Sequence, residues 1–173
     1  MNLLARSSFG RSSVVILISL FAVSVACAAE GAMSAPDRTP APAWALPDLQ
    51  GTSVTSNQFK GKVVVLDFWA TWCPPCRAEI PGLESLYRQY ADKGLVIVGI
   101  SLDQDGPAKV KAFVKQHGLT YPIVMGNEQV SSNYGGIDAI PTTFVINRKG
   151  AIAAMHVGYT DRDVFEKEIK PLL

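Results

Sequence analysis

The amino-acid sequence predicts an α/β fold, a layered sandwich in which a central mixed β-sheet is flanked by helices. Apolar, β-rich runs alternate with segments of helical spacing, in the order β-α-β-α-β-β-α. The runs at 62–69 and 95–102 are almost continuously hydrophobic, which is typical of central strands covered on both faces. We therefore expect one folded domain, 44–173, that begins near Trp44.

Three helices are expected where apolar residues recur every three or four positions. The first covers 75–90 and should be kinked by Pro81, which cannot donate a helical hydrogen bond. The second covers 107–117, and the third covers 161–170 with Asp161 as its candidate N-cap. Each helix follows a predicted strand, as an α/β fold requires.

The remaining β-rich segments are shorter. The segments 143–147 and 151–157 are expected to form a hairpin, because a short turn-forming sequence separates them. An N-terminal β-hairpin is expected within 44–54. The segment 118–136 falls outside the minimal order, and we predict that it is an inserted strand and short helix, centred on 121–125.

The N-terminal segment has the pattern of an export signal. Two arginines precede the apolar stretch 14–26, and small residues follow it, in the order of a secretory signal peptide. We expect 1–28 to be this signal peptide, cleaved after Ala28, and 29–43 to be an Ala/Pro-rich linker. The mature protein should then be exported to the periplasm.

Two alternatives for this segment stay open. The stretch 14–26 could be retained as an uncleaved membrane anchor, although it is shorter than the roughly 20 residues that span a bilayer comfortably. Cys27 could instead be lipidated after cleavage before it.

The charge of the chain gives no indication of a nucleic-acid-binding protein. The net charge is +1 and no run of five like charges occurs, so we expect no nucleic-acid partner.

The segment Cys73-Pro74-Pro75-Cys76 lies where a predicted strand gives way to a helix. At that position Cys73 would be the helix N-cap, and the free N–H groups and the positive end of the helix dipole lower the pKa of a thiol. Two intervening residues allow a small, reversible Cys73–Cys76 disulfide. We expect Cys73, the more exposed and more acidic thiol, to attack, and Cys76 to resolve the mixed disulfide.

Two other uses of the cysteines are less well supported. A zinc site would need two further ligands, and only His117 and His156 are available, without ligand spacing. A purely structural disulfide across two residues closes almost no loop and would stabilise the fold little. No cofactor or metal is expected.

The segment Phe-Trp-Ala-Thr-Trp-Cys-Pro-Pro-Cys, at 68–76, resembles the thioredoxin superfamily. The surrounding sequence is similar to its TlpA/ResA-like extracytoplasmic branch, which is linked to cytochrome c maturation. The resemblance covers about 43–173 and includes the insertion and the segment 136–147. It implies a thioredoxin-like sandwich and a thiol–disulfide oxidoreductase.

The resemblance also implies a substrate-binding surface. Pro141 would be the cis-proline that faces the disulfide and, with Ile140, holds the substrate peptide. Pro74 and Pro75 at the helix start would contact the substrate, and Trp72 would form an apolar wall beside the site.

Two acidic residues are candidates for moving the proton of the resolving thiol. Asp67 lies in an apolar strand, where an ionisable group is costly, and resembles the buried Asp of thioredoxins. Glu79 follows Cys76 by three residues, on the same helical face, and resembles the active-site Glu of ResA-like proteins. Glu79 could equally be a solvent-facing charge. Having both acids departs from the ResA-like pattern, which has Asn in place of Asp67.

The expected activity is reduction of disulfides in protein substrates, such as apocytochrome c or its assembly factors, with electrons from a membrane donor. A peroxiredoxin would need Pro and Thr where Leu66 and Ala70 stand. A copper-delivery protein of the Sco type would need three residues between the cysteines and a distal His. These two activities are kept as alternatives.

Overall fold

The computed structural model describes residues 39–173. The expected signal peptide 1–28, the stretch 14–26, Cys27 and most of the linker 29–43 lie outside the described residues. Within 39–173, no helix is both long enough and apolar enough to cross a membrane.

Within residues 39–173, seven strands form two sheets. In chain order they are β1 (Ala45–Pro47), β2 (Ser53–Thr55), β3 (Val63–Trp69), β4 (Leu95–Ser101), β5 (Ile123–Met125), β6 (Thr142–Ile146) and β7 (Ile152–Val157). The strands β1 and β2 form the predicted N-terminal hairpin. The other five form one sheet in the order β5-β4-β3-β6-β7, where β3, β4 and β5 are parallel and β6 and β7 are antiparallel to their neighbours. The predicted central mixed sheet is confirmed.

In the described part of the chain, four α-helices accompany the sheets: α1 (Pro74–Tyr90), α2 (Pro107–His117), α3 (Glu128–Asn133) and α4 (Arg162–Ile169). Buried side chains of α1, α2 and α4 share one hydrophobic cluster with one face of the central sheet. Buried side chains of α3 and of the β1–β2 hairpin belong to the cluster on the opposite face. The predicted insertion is thus β5 followed by α3.

The helix expected over 75–90 begins at Pro74 and continues through Pro81 to Tyr90 as one α-helix, and the kink expected at Pro81 stays a prediction. Asp161 occupies the N-cap position of α4, but its side chain makes no capping hydrogen bond there. The Asp161 carboxylate instead accepts a hydrogen bond of 2.9 Å from the Tyr159 hydroxyl, so a neighbouring donor takes the place of the helix N–H groups.

The antiparallel pairing of β3 and β6 positions the site. Phe68, near the end of β3, pairs with Thr142, the first residue of β6. The chain after β3 leads to Cys73, and the chain before β6 contains Pro141. The topology therefore brings together two segments that are 67 residues apart, as the contact of Cys73 with Ile140 shows.

Candidate active site

The first turn of α1 holds the cysteine pair. Cys73 is the N-cap, with extended backbone angles, and Pro74 and Pro75 occupy the first helical positions. The Cys73 sulfur accepts a hydrogen bond of 3.2 Å from the Cys76 N–H. Prolines have no N–H and fit a first turn, where the N–H would be unpaired. The Cys76 N–H is therefore the first backbone donor of the helix that can reach this sulfur.

The two cysteines form a disulfide, with their Cα atoms 5.3 Å apart. Both residues are buried, Cys73 at 2% exposure and Cys76 at 1%. The sequence predicts that Cys73 is the more exposed thiol, and the disulfide shows no such difference. That expectation concerns the reduced protein and stays a prediction.

A second loop closes over the disulfide. The Ile140–Pro141 peptide bond is cis, and the Ile140 carbonyl oxygen lies 3.6 Å from the Cys73 sulfur. Pro141 is buried and Ile140 half-buried. The resemblance implies this position of the loop, although the sequence shows only an ordinary X–Pro bond.

The rim of the site is exposed and apolar. Trp72, which directly precedes Cys73, has 61% of its surface exposed, and Pro74 and Pro75 are exposed as well. A large indole in water beside a buried disulfide is the kind of surface that protein interfaces bury. The predicted substrate-binding residues thus lie next to Cys73, either as its neighbours in the chain or on the Ile140–Pro141 loop that its sulfur contacts.

Asp67 and Glu79 face each other beneath this surface. Asp67 lies in β3 on the same face as Val65 and Trp69, which pack with both cysteines. Both acids are buried, Asp67 at 2% exposure and Glu79 at 3%. The alternative that Glu79 is a solvent-facing charge is therefore wrong, because α1 turns this side chain inward against the sheet.

Thr143 lies between the two carboxyl groups. Its hydroxyl oxygen is 3.4 Å from Asp67 Oδ1 and 3.3 Å from Glu79 Oε1. The second oxygen of Glu79 accepts a hydrogen bond of 2.7 Å from the Thr160 N–H, in the segment between β7 and α4. Two acids on different elements thus meet at one hydroxyl.

The pKa values of both acids are raised, with burial as the main cause. Burial raises the pKa of Glu79 to about 7, although the hydrogen bonds from Thr160 and Thr143 and the charge of His156 lower it. Burial and then the Glu79 carboxylate raise the pKa of Asp67 well above its ordinary value, against the Thr143 hydrogen bond. A carboxyl whose pKa lies near neutral pH can exchange protons efficiently there.

Sequence reasoning missed Asp103, which supports the segment that leads to Cys73. Asp103 is buried and follows β4. Its carboxylate accepts hydrogen bonds from the Thr71 N–H at 2.9 Å, from the Thr71 hydroxyl and from Ser101 Oγ. The carboxyl ends of the parallel neighbours β3 and β4 lie side by side. A polar residue just after the buried strand β4 is therefore the sequence signal that could have identified Asp103 as a neighbour of the site.

Thr143 and His156 are two further residues near the acids that the sequence did not identify: Thr143 was not singled out, and His156 was expected to be an ordinary surface or core residue. Asp67 pairs with Thr143, and Thr143 pairs with His156, across β3, β6 and β7. His156 Nε2 lies 2.9 Å from Glu168 Oε2 on α4. Asp67, Thr143 and His156 thus form a polar row across a mainly apolar face of the sheet. Only the register of the three strands reveals this row.

Metal-binding groups and cavities are two further kinds of candidate site outside the disulfide region. Among residues 39–173, no group of three or more His, Cys, Asp or Glu side chains is arranged to hold a metal ion. A cavity of about 410 Å³, whose lining includes Trp44, Phe59 and Arg148, lies near Val64 and Ile146, at the end of the sheet opposite the disulfide.

Comparison with known proteins gives a consistent result. The model of the AhpC/TSA family matches residues 38–155. The thioredoxin-like protein YneN of Bacillus subtilis is 36% identical over 130 residues, which cover 75% of this chain and 76% of the relative. The thiol–disulfide oxidoreductase ResA of Bacillus thuringiensis is 34% identical over 132 residues, covering 76% of each chain.

A solved structure is similar along most of its length. The thiol:disulfide interchange protein of the thioredoxin family from Chlorobium tepidum superposes with a TM-score of 0.71 at 34% identity. The match covers 78% of this chain and 95% of the other. Sequence and three-dimensional similarity therefore agree on both fold and chemistry.

Proposed function

We propose, from the premise that the chain belongs to the AhpC/TSA family and is a thioredoxin-like thiol–disulfide oxidoreductase, that it reduces disulfides of protein substrates through Cys73 and Cys76. The observation that supports this most is the position of Cys73. Its sulfur lies at the N-terminus of α1, beside an exposed apolar rim and opposite the cis-Pro141 loop. A helix N-terminus favours the thiolate, which is the nucleophile in disulfide exchange.

The reaction proceeds in two exchanges. The Cys73 thiolate attacks one sulfur of the substrate disulfide, a Cys73–substrate bond forms, and the other substrate sulfur leaves as a thiolate that takes up a proton. Cys76 then loses its proton and attacks the Cys73 sulfur. The Cys73–Cys76 bond forms, the second substrate thiolate leaves, and two electrons have passed from the enzyme to the substrate.

The acids beneath the disulfide receive the proton of Cys76. Cys76 is buried, and burial disfavours the thiolate. A carboxylate on the same face of the sheet can accept the proton when its own pKa is raised toward the working pH. Asp67 and Glu79 both meet this condition, and Asp67, in the centre of the sheet, is the stronger candidate.

Substitution of these acids separates their contributions. Asp67→Asn is expected to slow release of the mixed disulfide more than Glu79→Gln, by roughly ten- to a thousandfold, the range of general-base contributions. Single-turnover reduction of a model disulfide by each variant, followed across pH, measures this. A parent-like Asp67→Asn together with an impaired Glu79→Gln would assign the proton transfer to the helix acid.

The location and partners follow from the N-terminal pattern and the resemblance. We place the mature enzyme in the periplasm, with a cleaved leader at 1–28, a linker at 29–43 and the catalytic domain at 44–173. Its substrates would be apocytochrome c or its assembly factors, and a membrane dithiol donor would reduce it again. N-terminal sequencing of the exported protein distinguishes cleavage after Ala28 from a retained anchor or a lipidated Cys27.

Trapping tests the function as a whole. With Cys76→Ala, the mixed disulfide cannot be resolved and should accumulate on Cys73, so its partner can be identified by mass spectrometry. Cys73→Ala is the matched control and should trap almost nothing. A protein substrate recovered with Cys73→Ala but not with Cys76→Ala would reverse the assignment.

The direction of electron flow needs its own measurement. A reductant of protein disulfides should have a reduction potential near that of thioredoxin, about −270 mV, and far from about −120 mV, the value of the strong oxidant DsbA. Equilibration of the pair with glutathione or dithiothreitol buffers gives this value. A potential near the oxidant's would contradict the reducing role.

A further inference from the structure

The polar row beneath the disulfide crosses three strands at one level. Asp67 of β3 is paired with Thr143 of β6, and Thr143 is paired with His156 of β7. The neighbouring levels of this face are occupied by apolar residues such as Val65, Trp69 and Val145. Polar side chains in such surroundings must satisfy one another, since water does not reach them freely.

Thr143 can satisfy only one ionised carboxyl at a time. A threonine hydroxyl has a single hydrogen to donate and two lone pairs that accept. Its oxygen lies almost equally far from Asp67 Oδ1 and Glu79 Oε1, at 3.4 and 3.3 Å. The hydroxyl can therefore accept a hydrogen bond from a protonated carboxyl on one side and donate one to a carboxylate on the other.

The number of donors selects one protonation state of the pair. With both acids ionised, two buried carboxylates would compete for the single hydroxyl hydrogen of Thr143, at the cost of mutual repulsion. With both acids protonated, the Thr143 hydrogen faces only neutral, weaker acceptors. With one proton present, protonated carboxyl, hydroxyl and carboxylate form a continuous chain in which every group is used.

We propose that Asp67, Thr143 and Glu79 act as one unit that holds a single proton between the two carboxyl groups, with Thr143 as the positioning residue that couples them. This inference rests on the proposed function for its role in the reaction. During resolution of the mixed disulfide, the ionised member accepts the proton of Cys76. The unit then holds two protons and loses one to solvent through Glu79, whose other oxygen binds the Thr160 N–H in the segment after β7.

The charges around the unit act in opposite directions. His156 lowers the pKa of Glu79 and is itself paired with Glu168 of α4. On the other side, burial and the charges of Asp67, Glu84 and Glu79 raise the pKa of Tyr121 well above its ordinary value, so this group stays neutral. Tyr159, after β7, is kept neutral mainly by its hydrogen bond to Asp161. With the cysteines oxidised, the two carboxyl groups of the unit, Asp67 and Glu79, are the groups whose raised pKa values the titration should report.

Carboxyl NMR of the oxidised protein tests the unit without any substrate. With 13C-labelled Asp and Glu, the signals of Asp67 and Glu79 should each show two inflections, because coupled groups titrate in shared steps. In Glu79→Gln, Asp67 should titrate in one step, at a pH lower by about one unit or more, since the repulsion is gone. An Asp67 curve that is the same in Glu79→Gln and in the parent would overturn the proposal.

Variants of Thr143 test its coupling role. Thr143→Val removes the hydroxyl at nearly constant volume. It should bring the two titration steps of the Asp67–Glu79 pair closer together, so that the pair holds a single proton over a narrower pH interval. Thr143→Ser keeps the hydroxyl and should show the same interval as the parent. Thr142→Val is the matched control, because the Thr142 hydroxyl donates to the Ala139 carbonyl at 2.8 Å instead of to an acid. It should leave the carboxyl titration unchanged. An unchanged interval in Thr143→Val would contradict the coupling.

The kinetic consequence is measured separately. Thr143→Val should slow release of the mixed disulfide by roughly tenfold and shift its pH profile, within the range of general-base effects. If the parent reduces no disulfides, the proposed function fails whatever the titration shows. If exchange proceeds in the parent but the carboxyls titrate independently, only the shared-proton unit fails.

Discussion

At the scale of single residues, the two cysteines differ in their contacts although both are buried. The Cys73 sulfur has the Cys76 N–H and the Ile140 carbonyl as neighbours, whereas Cys76 lies inside the first turn of α1. Because the helix N-terminus stabilises a thiolate at Cys73, alkylation of the reduced protein at neutral pH should modify Cys73 first. Peptide mass spectrometry after brief iodoacetamide treatment measures this, and faster labelling of Cys76 would exchange the two roles.

Asp67 also affects stability, and the sign follows from its raised pKa. Between its unfolded and folded pKa values, the folded protein holds a proton that the unfolded chain has released. The contribution of Asp67 to the stability of the fold is therefore fully present below the pKa of Asp in the unfolded chain. It is lost as the pH rises through the pKa of Asp67 in the folded protein. We expect Asp67→Asn to be more stable than the parent at pH 8 by about 1–3 kcal/mol, and to differ little at pH 4.

Urea denaturation of the oxidised proteins at the two pH values measures this difference. Glu79 has a raised pKa of the same sign, so Glu79→Gln should show the same trend over the range from its ordinary pKa to about 7. A loss of stability at pH 8 in Asp67→Asn would mean that the buried carboxylate is stabilised by contacts that outweigh its desolvation.

At the scale of elements, Asp103 joins the end of β4 to the turn before α1. Its carboxylate accepts from both the N–H and the hydroxyl of Thr71. Asp103→Asn would direct an amide donor toward a group that also donates, so we expect a loss of about 1–3 kcal/mol in stability. Cys73 labelling in the reduced variant should also lose selectivity, because the turn is no longer held.

Asp105→Asn is the matched control for this change. Asp105 is exposed, just before α2, and pairs with Lys109 in the first turn of that helix. Exposed pairs of this kind contribute little, so we expect a loss below about 0.5 kcal/mol. Thermal unfolding of the two variants side by side compares them. Equal effects at both positions would show that Asp103 does not brace the turn.

Most elements could be predicted from the sequence because their signals are local. The continuous hydrophobic runs indicated β3 and β4, and the helical spacing indicated α1, α2 and α4, all within a residue or so of their observed ends. The polar row could not be predicted in the same way. Thr143 and His156 acquire their meaning from the register of β3, β6 and β7, which depends on contacts between residues far apart in the chain.

At the scale of the whole molecule, Arg148 connects segments that are distant in sequence. Its guanidinium donates to the Gly61 carbonyl at 3.0 Å, to the Lys93 carbonyl at 3.2 Å and to the Leu172 and Leu173 carbonyls. The planar group presents several donors in a fixed fork, which a lysine ammonium cannot reproduce. The turn before β3, the connection between α1 and β4 and residues 172–173 are thereby held together.

Arg148→Lys should therefore destabilise the fold without changing the chemistry. We expect a loss of about 1 kcal/mol, a few degrees in the unfolding temperature, because several exposed hydrogen bonds are lost together. The rate of Cys73 labelling should stay that of the parent, since Arg148 lies at the opposite end of the sheet. Calorimetry and alkylation measure the two effects, and a changed labelling rate would show that the two ends are coupled.

The thioredoxin-like architecture inferred from the motif at 68–76 is confirmed over the described domain. The motif was sufficient to predict the fold, because a cysteine pair at a strand-to-helix junction is specific to this architecture. The burial and mutual contact of the two acids, in contrast, depend on how the elements pack. The inward direction of Glu79 is decided by how α1 sits on the sheet, and a helical position three residues after Cys76 is compatible with either direction.

The tryptophans give this molecule a built-in optical reporter. Of its three indoles, Trp72 stands in water next to the disulfide, Trp69 is buried on the same face, and Trp44 lies beside Phe59 toward the far end of the sheet. A disulfide quenches the fluorescence of an indole that it contacts, so opening the bond should brighten the emission of the two nearby residues. Trp72 should contribute the long-wavelength part that iodide can quench, and Trp69 the short-wavelength part that it cannot. The redox state of an unlabelled sample can then be followed in real time from the intensity of its tryptophan emission.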